Sequence, residues 1–165
     1  MKLFTFVSLL MFTALGVTGN LLSLNRVAGV WDLVNATYII EGEVIDLPYG
    51  PNPHGLLTFT TSGWFVEQIN AQGLPTFPDD LASGSGEDII AVALGTFGIS
   101  GTYVTDDNGD FLSQKVLGCT FPNWQGITRN TTELRLDVAV DRQLMFERLV
   151  GSETTIVEIV WRKVG

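Results

Sequence analysis

What most constrains this chain is a succession of short runs rich in β-branched and aromatic residues, each closed by Gly, Asn, Asp or Pro. Punctuation of that kind favours a meander of hairpins, and no strand–helix–strand alternation points to a parallel sheet. The runs are Val27 to Ile40, Glu43 to Asp46, Gly55 to Thr61 and Trp64 to Asn70, then Ile99 to Thr105 and Phe111 to Thr120. Four more follow: Ile127 to Asn130, Glu133 to Val140, Gln143 to Val150 and Glu153 to Val164. In Glu133-Leu134-Arg135-Leu136-Asp137-Val138 apolar and charged residues alternate, so that strand has one dry face and one wet face. Eight to ten such strands in 165 residues, with no second domain, favour closure, because an open antiparallel sheet leaves two vulnerable edges. The fold class predicted is all-β, an antiparallel up-and-down β-barrel of eight to ten strands with one short helix, spanning residues 25–164.

Breaks in the pattern place the loops and one helix. Ser62-Gly63 makes a tight hairpin, since glycine reaches the positive φ such a turn needs. Three prolines between Pro48 and Pro53 exclude that loop from any central strand. Ser85 and Asp88 form an approximate capping box for a short helix from Glu87 to about Phe97, with Ile89, Ile90, Ala93, Leu94 and Phe97 as its apolar side. That helix is expected to plug or cover the barrel.

The N-terminus reads as a secretory signal peptide, residues 1–19. Lys2 precedes the apolar run Leu3 to Leu15, and small and polar residues follow, with Gly19 or Gly16 as the cleavage point. The run is shorter than the roughly 18 to 20 residues a membrane span requires, so no stable membrane insertion is expected after cleavage. Secretion is the expected destination, and the sequons at Asn35 and Asn130 are candidate glycosylation sites on that route. Eighteen acidic against nine basic residues make nucleic acid and anionic membrane surfaces poor partners. Oligomeric state is not legible.

Chemistry-bearing motifs are few. His54 and Cys119 are the only residues of their types, which leaves Ser-His-Asp and Cys-His arrangements poorly supported and excludes a histidine-rich metal site. No phosphate-binding glycine motif is present, so no cofactor is expected. Tyr38, Tyr49, Phe59, Phe65, Tyr103, Phe121 and Trp124 form either an aromatic pocket or core packing. His54, just after the proline loop, either faces a barrel mouth or makes structural hydrogen bonds. Lys115 shares the parity of Phe111, Leu117 and Cys119, and so either points inward toward a carboxylate such as Asp32 or Glu67 or stands outside as a solubilising charge. Asp32 and Glu67 themselves read equally well as solvent-facing.

Gly29-Val30-Trp31 resembles the G-x-W signature that opens the first strand of lipocalins, with Arg162 as the candidate to pack across Trp31. Taken with the runs from Gly29 to Tyr38, Pro48 to Thr60 and Phe121 to Gly126, and the closing Ile159-Val160-Trp161-Arg162, the chain resembles the lipocalin-like domain of small stand-alone bacterial and fungal proteins. In that family the strand before Phe121 often carries His where Lys115 stands and a small hydroxyl residue where Cys119 stands. The resemblance implies a calycin-type barrel. It leaves three functions open: binding of a small hydrophobic molecule in the lumen through Tyr49, His54, Phe59, Tyr103, Lys115 and Trp124; a cofactor-free isomerase or cyclase in the same pocket, with His54, Tyr49 or Lys115 biasing the reaction; or a filled structural barrel. The state of the lumen separates them.

Overall fold

The computed structural model describes residues 25–46, 49–152 and 154–164. The signal peptide expected at 1–19 lies outside them. Ten strands form one antiparallel sheet: β1 (Gly29–Ile40), β2 (Glu43–Asp46), β3 (His54–Phe59), β4 (Trp64–Asn70), β5 (Thr96–Thr105), β6 (Phe111–Cys119), β7 (Thr128–Asn130), β8 (Leu134–Val138), β9 (Leu144–Ser152) and β10 (Thr155–Val164). Their order is β7-β6-β5-β4-β3-β1-β10-β9-β8, with β2 added beside the far end of β1. The nine-strand path curls until its two ends, β7 and β8, meet without a ladder between them, so the barrel is nearly closed. The tight turn from Asn130 to Glu133, closed by a bond from Glu133 N–H to Asn130 O at 3.1 Å, links the two strands of the seam. At one end of it the Arg26 guanidinium donates to Asp110 Oδ1 at 2.7 Å and to Val138 O at 3.0 Å.

The helix α1 (Gly86–Gly95) begins as the sequence predicts. Ser85 Oγ accepts from the Asp88 N–H at 3.1 Å, and the Asp88 carboxylate accepts from the Ser85 N–H in return. It ends earlier than Phe97, because Gly95 and the β-branched Thr96 hand the chain to β5. It plugs nothing. Ile90 and Leu94 remain 59% and 72% exposed, so the helix is a ledge at one barrel rim.

One barrel end is sealed. Trp31 and Trp161 are fully buried there with Val27 and Met145, and Phe59 stacks edge-on against Tyr103 with centroids 4.8 Å apart. The Trp31 indole N–H donates to Val27 O at 2.8 Å, so its polar atom is satisfied inside the core. The cation over Trp31 is Lys163, whose Nζ lies 4.5 Å from the ring centroid and donates to Ala28 O at 2.7 Å. Arg162, the residue expected in that place, is exposed, because it follows the inward Trp161 and strand alternation turns it outward. Gly29 has φ 137°, and any Cβ there would meet Lys163 Cε at 2.7 Å, which explains the glycine two residues before Trp31.

Bulges set which side chains face inward. In β6 the pairing slips between Gly101 and Ser100 and again between Thr105 and Val104, and each slip inverts the alternation. Phe111, Gln114 and Val116 are therefore buried while Leu112, Lys115 and Leu117 are exposed. The simple parity of Lys115 with Phe111 does not survive the bulge. A Cβ on Gly101 would run into the Lys115 carbonyl, so the close approach of β5 and β6 at this point requires glycine.

Trp31→Ala should lower unfolding stability by about 3 to 5 kcal/mol, the range for deleting a buried large aromatic side chain. Denaturant titration checks it, and an unchanged midpoint would mean that the end is sealed without Trp31.

Candidate functional site

The opposite end of the barrel is open and leads into a cavity of about 290 Å³. Its upper wall is apolar: Tyr38, Phe97, Phe121, Trp124, Leu149, Val157 and the tip of Leu94. Phe97, Phe121 and Trp124 make a mutually packed trio, with centroids 5.3 to 5.9 Å apart. A short 3-10 turn at Pro122–Trp124 holds Trp124 at the rim, and the proline at its start suits a position that needs no N–H donor. A larger hollow of about 560 Å³ lies along β4, β5 and β6 but is broadly open to solvent.

Below the apolar wall the cavity becomes polar. Glu67 from β4, Gln114 from β6, Arg129 from β7 and Glu147 from β9 are all buried and all line it, and the half-buried Tyr49 joins them from the loop before β3. Alternation puts them there. Glu67 lies between the inward Phe65 and Ile69, and Glu147 shares the parity of the inward Met145. Ion pairs among the described residues join Arg26 to Asp110, Arg135 to Asp137 and Arg148 to Glu158, and none engages a cavity residue. The Arg129 guanidinium instead lies over the Trp124 ring at 4.1 Å, a cation–π contact that fixes its plane. Glu147 Oε2 accepts from the Trp161 indole N–H at 2.8 Å. Glu67 Oε1 is buried with no hydrogen-bond partner.

The electrostatics follow from that burial. Loss of solvent, then the neighbouring Glu147, push the Glu67 carboxyl well above the usual carboxylate range, and Arg129 pulls it back only in part. Burial also raises Glu147, to about 7, opposed by the Trp161 N–H and by Arg129. Burial, with Glu67, Glu147 and Cys119 nearby, pushes the Tyr49 phenol up. The cavity floor therefore holds one carboxyl biased toward its neutral form, a second near its midpoint at neutral pH, and a guanidinium that stays charged. Such a floor offers hydrogen-bond donors and acceptors together.

The residues singled out from sequence divide. Tyr49 and Trp124 line the cavity. Phe59 and Tyr103 lie outside it, in the sealed end, where the Tyr103 hydroxyl donates to Thr60 O at 2.6 Å and accepts from Asn25 Nδ2 at 2.7 Å. His54 is exposed and borders an outer groove with Asp32, Gln68 and Asn70. Lys115 is exposed for the reason its bulge supplies. Asn35 and Asn130 are both exposed, Asn35 because the pairing slips between Leu33 and Asn35 and reverses its direction. Gln114, Arg129 and Glu147 were not among the sequence candidates, although the parity of Glu147 with Met145 carried a signal. Among the described residues no cluster of three metal-ligating side chains occurs.

Glu147 ties stability to pH. Its carboxyl titrates near 4.5 when unfolded and near 7 when folded, so the folded state binds more protons between those values. Its contribution is fully present below about pH 4.5 and is lost as pH rises through 7, a loss of about 3 kcal/mol at 1.4 kcal/mol per unit. Glu147→Gln should remove that decline. The check is the difference in unfolding free energy between wild type and variant at pH 5 and pH 8, with equal pH slopes as the contrary result.

A family model for the lipocalin-like domain matches residues 28–164. No curated protein and no solved structure match the chain. The match runs from the residue before Gly29, over which Lys163 packs, to the last residue of β10, and so takes in the whole barrel and its cavity. On that match and that barrel, the chain belongs to the lipocalin-like domain family.

Proposed function

We propose that the protein binds a small amphipathic molecule whose apolar body lies between Phe97, Phe121, Trp124, Leu149 and Val157 and whose acceptor group, a carbonyl or an anion, reaches Arg129. The observation that carries this reading is a cavity that is apolar at its mouth and polar at its floor, with a buried guanidinium in no ion pair among the described residues. Apolar burial supplies most of the affinity and the floor supplies orientation. A volume of about 290 Å³ lies at the lower end of ligand pockets, which suits a compact molecule rather than a long lipid.

Secretion belongs to the same proposal. It rests on the Lys2-led apolar run and on the exposure of Asn35 and Asn130, which leaves both sequons accessible to a glycosyltransferase. N-terminal sequencing of the exported protein, beginning at Asn20, is the corresponding check.

Binding is testable with 1-anilinonaphthalene-8-sulfonate, an apolar ring system bearing one anion. Its fluorescence should rise on addition of the folded protein. Arg129→Leu should weaken binding at least tenfold, the equivalent of about 1.4 kcal/mol, whereas His54→Ala and Lys115→Ala should leave it unchanged. Equal affinity in Arg129→Leu and wild type would remove Arg129 from the site, and a loss with Lys115→Ala would place the dye outside the barrel.

A further inference from the structure

Recognition of an acceptor group needs Arg129 and Gln114. It does not need two acids beside them. Glu67 and Glu147 are both buried in the wall of the same cavity, and burying a carboxyl without full hydrogen bonding is unfavourable. Glu67 bears that cost openly, since its Oε1 has no partner. Glu147 is held differently: the Trp161 indole N–H donates to its Oε2 at 2.8 Å, and its other oxygen accepts no side-chain hydrogen bond among the described residues. Two carboxyls in unlike surroundings, next to a cation and under an apolar wall, have the makings of an acid and a base.

Resting on the reading of the cavity as a ligand site, we propose that Glu147 and Glu67 act as a proton-transfer pair on a carbonyl compound bound there, moving a double bond toward its carbonyl without any cofactor. The ligand carbonyl oxygen accepts from the Arg129 guanidinium. The Glu147 carboxylate takes a proton from the carbon beside the carbonyl. That C–H bond breaks, its electron pair forms a new C=C bond, and the carbonyl π pair moves onto oxygen as an enolate that Arg129 stabilises. When the C=O bond re-forms, the electron pair of the old C=C bond takes a proton from the Glu67 carboxyl at the third carbon. The substrate has then been isomerised, Glu147 is neutral and Glu67 is ionised. Transfer of one proton from Glu147 to Glu67 restores the pair, and nothing is oxidised, reduced or consumed. Trp161 is a positioning residue here, because its N–H fixes which Glu147 oxygen remains available.

Cyclohex-3-enone in D2O tests the whole cycle in one sample. NMR reads deuterium uptake beside the carbonyl and conversion to the conjugated cyclohex-2-enone, and quenching of Trp124 fluorescence reads occupancy. Wild type should accelerate both processes at least 100-fold over protein-free buffer, in the range expected of general acid–base catalysis. Glu147→Gln, nearly isosteric, should lose both processes, and Glu67→Gln should keep deuterium uptake while losing at least tenfold in conversion. Retained binding of the anilinonaphthalene dye by each variant shows that the pocket is intact. Occupancy without acceleration, or full activity in Glu147→Gln, would overturn the proton-transfer role and leave the binding reading standing. Absence of occupancy at millimolar enone, with dye binding also absent, would overturn both.

Discussion

Closing a sheet on itself divides its residues into an inside and an outside, and in this protein everything else depends on how the strands keep to that division. Alternation alone would carry Lys115 into the lumen and Gln114 out of it. The slips in β6 reverse the order, and the slip in β1 does the same for Asn35. Each bulge leaves one residue unpaired, and in exchange the interior is graded along its axis: two buried tryptophans at one end, acids and a guanidinium at mid-height, aromatic rings at the other.

That gradient has an energetic logic. The sealed end supplies apolar burial from Trp31, Trp161, Phe59, Phe65 and Met145. Stability gained there offsets the polar groups above, which no ion pair among the described residues compensates. A chain with one cysteine has no internal disulfide to add, so the packed end is what tolerates the unsatisfied middle. Arg129 shows the compromise most clearly: its charge is kept inside the barrel by the Trp124 face and by nearby carboxyls with which it forms no ion pair among the described residues.

Much of the architecture was legible in the amino-acid order. The strand runs, the Ser62-Gly63 hairpin and the Ser85–Asp88 cap all follow from local periodicity and turn chemistry. The site was legible only in part, and for definite reasons. Parity arguments hold until a bulge intervenes, which is why Lys115 misleads. Arg129 sits in a strand of three residues, too short to display any periodicity. Glu147 could have been read, since Met145 and Leu149 flank it at a spacing of two. Lys163 in place of Arg162 is a shift of one residue in a strand, small in sequence and a change of face in space.

The unzipped join between β7 and β8 bears on how firmly each cavity-lining charge is mounted. β7 is hydrogen-bonded to β6 alone, through Ser113 to Lys115, and its other edge carries no ladder. The guanidinium that faces the cavity is thus mounted on the most lightly tethered stave of the cask, while both acids stand on staves gripped from either side. A displacement of β7 would therefore carry the cation with it and leave the spacing of the two acids undisturbed.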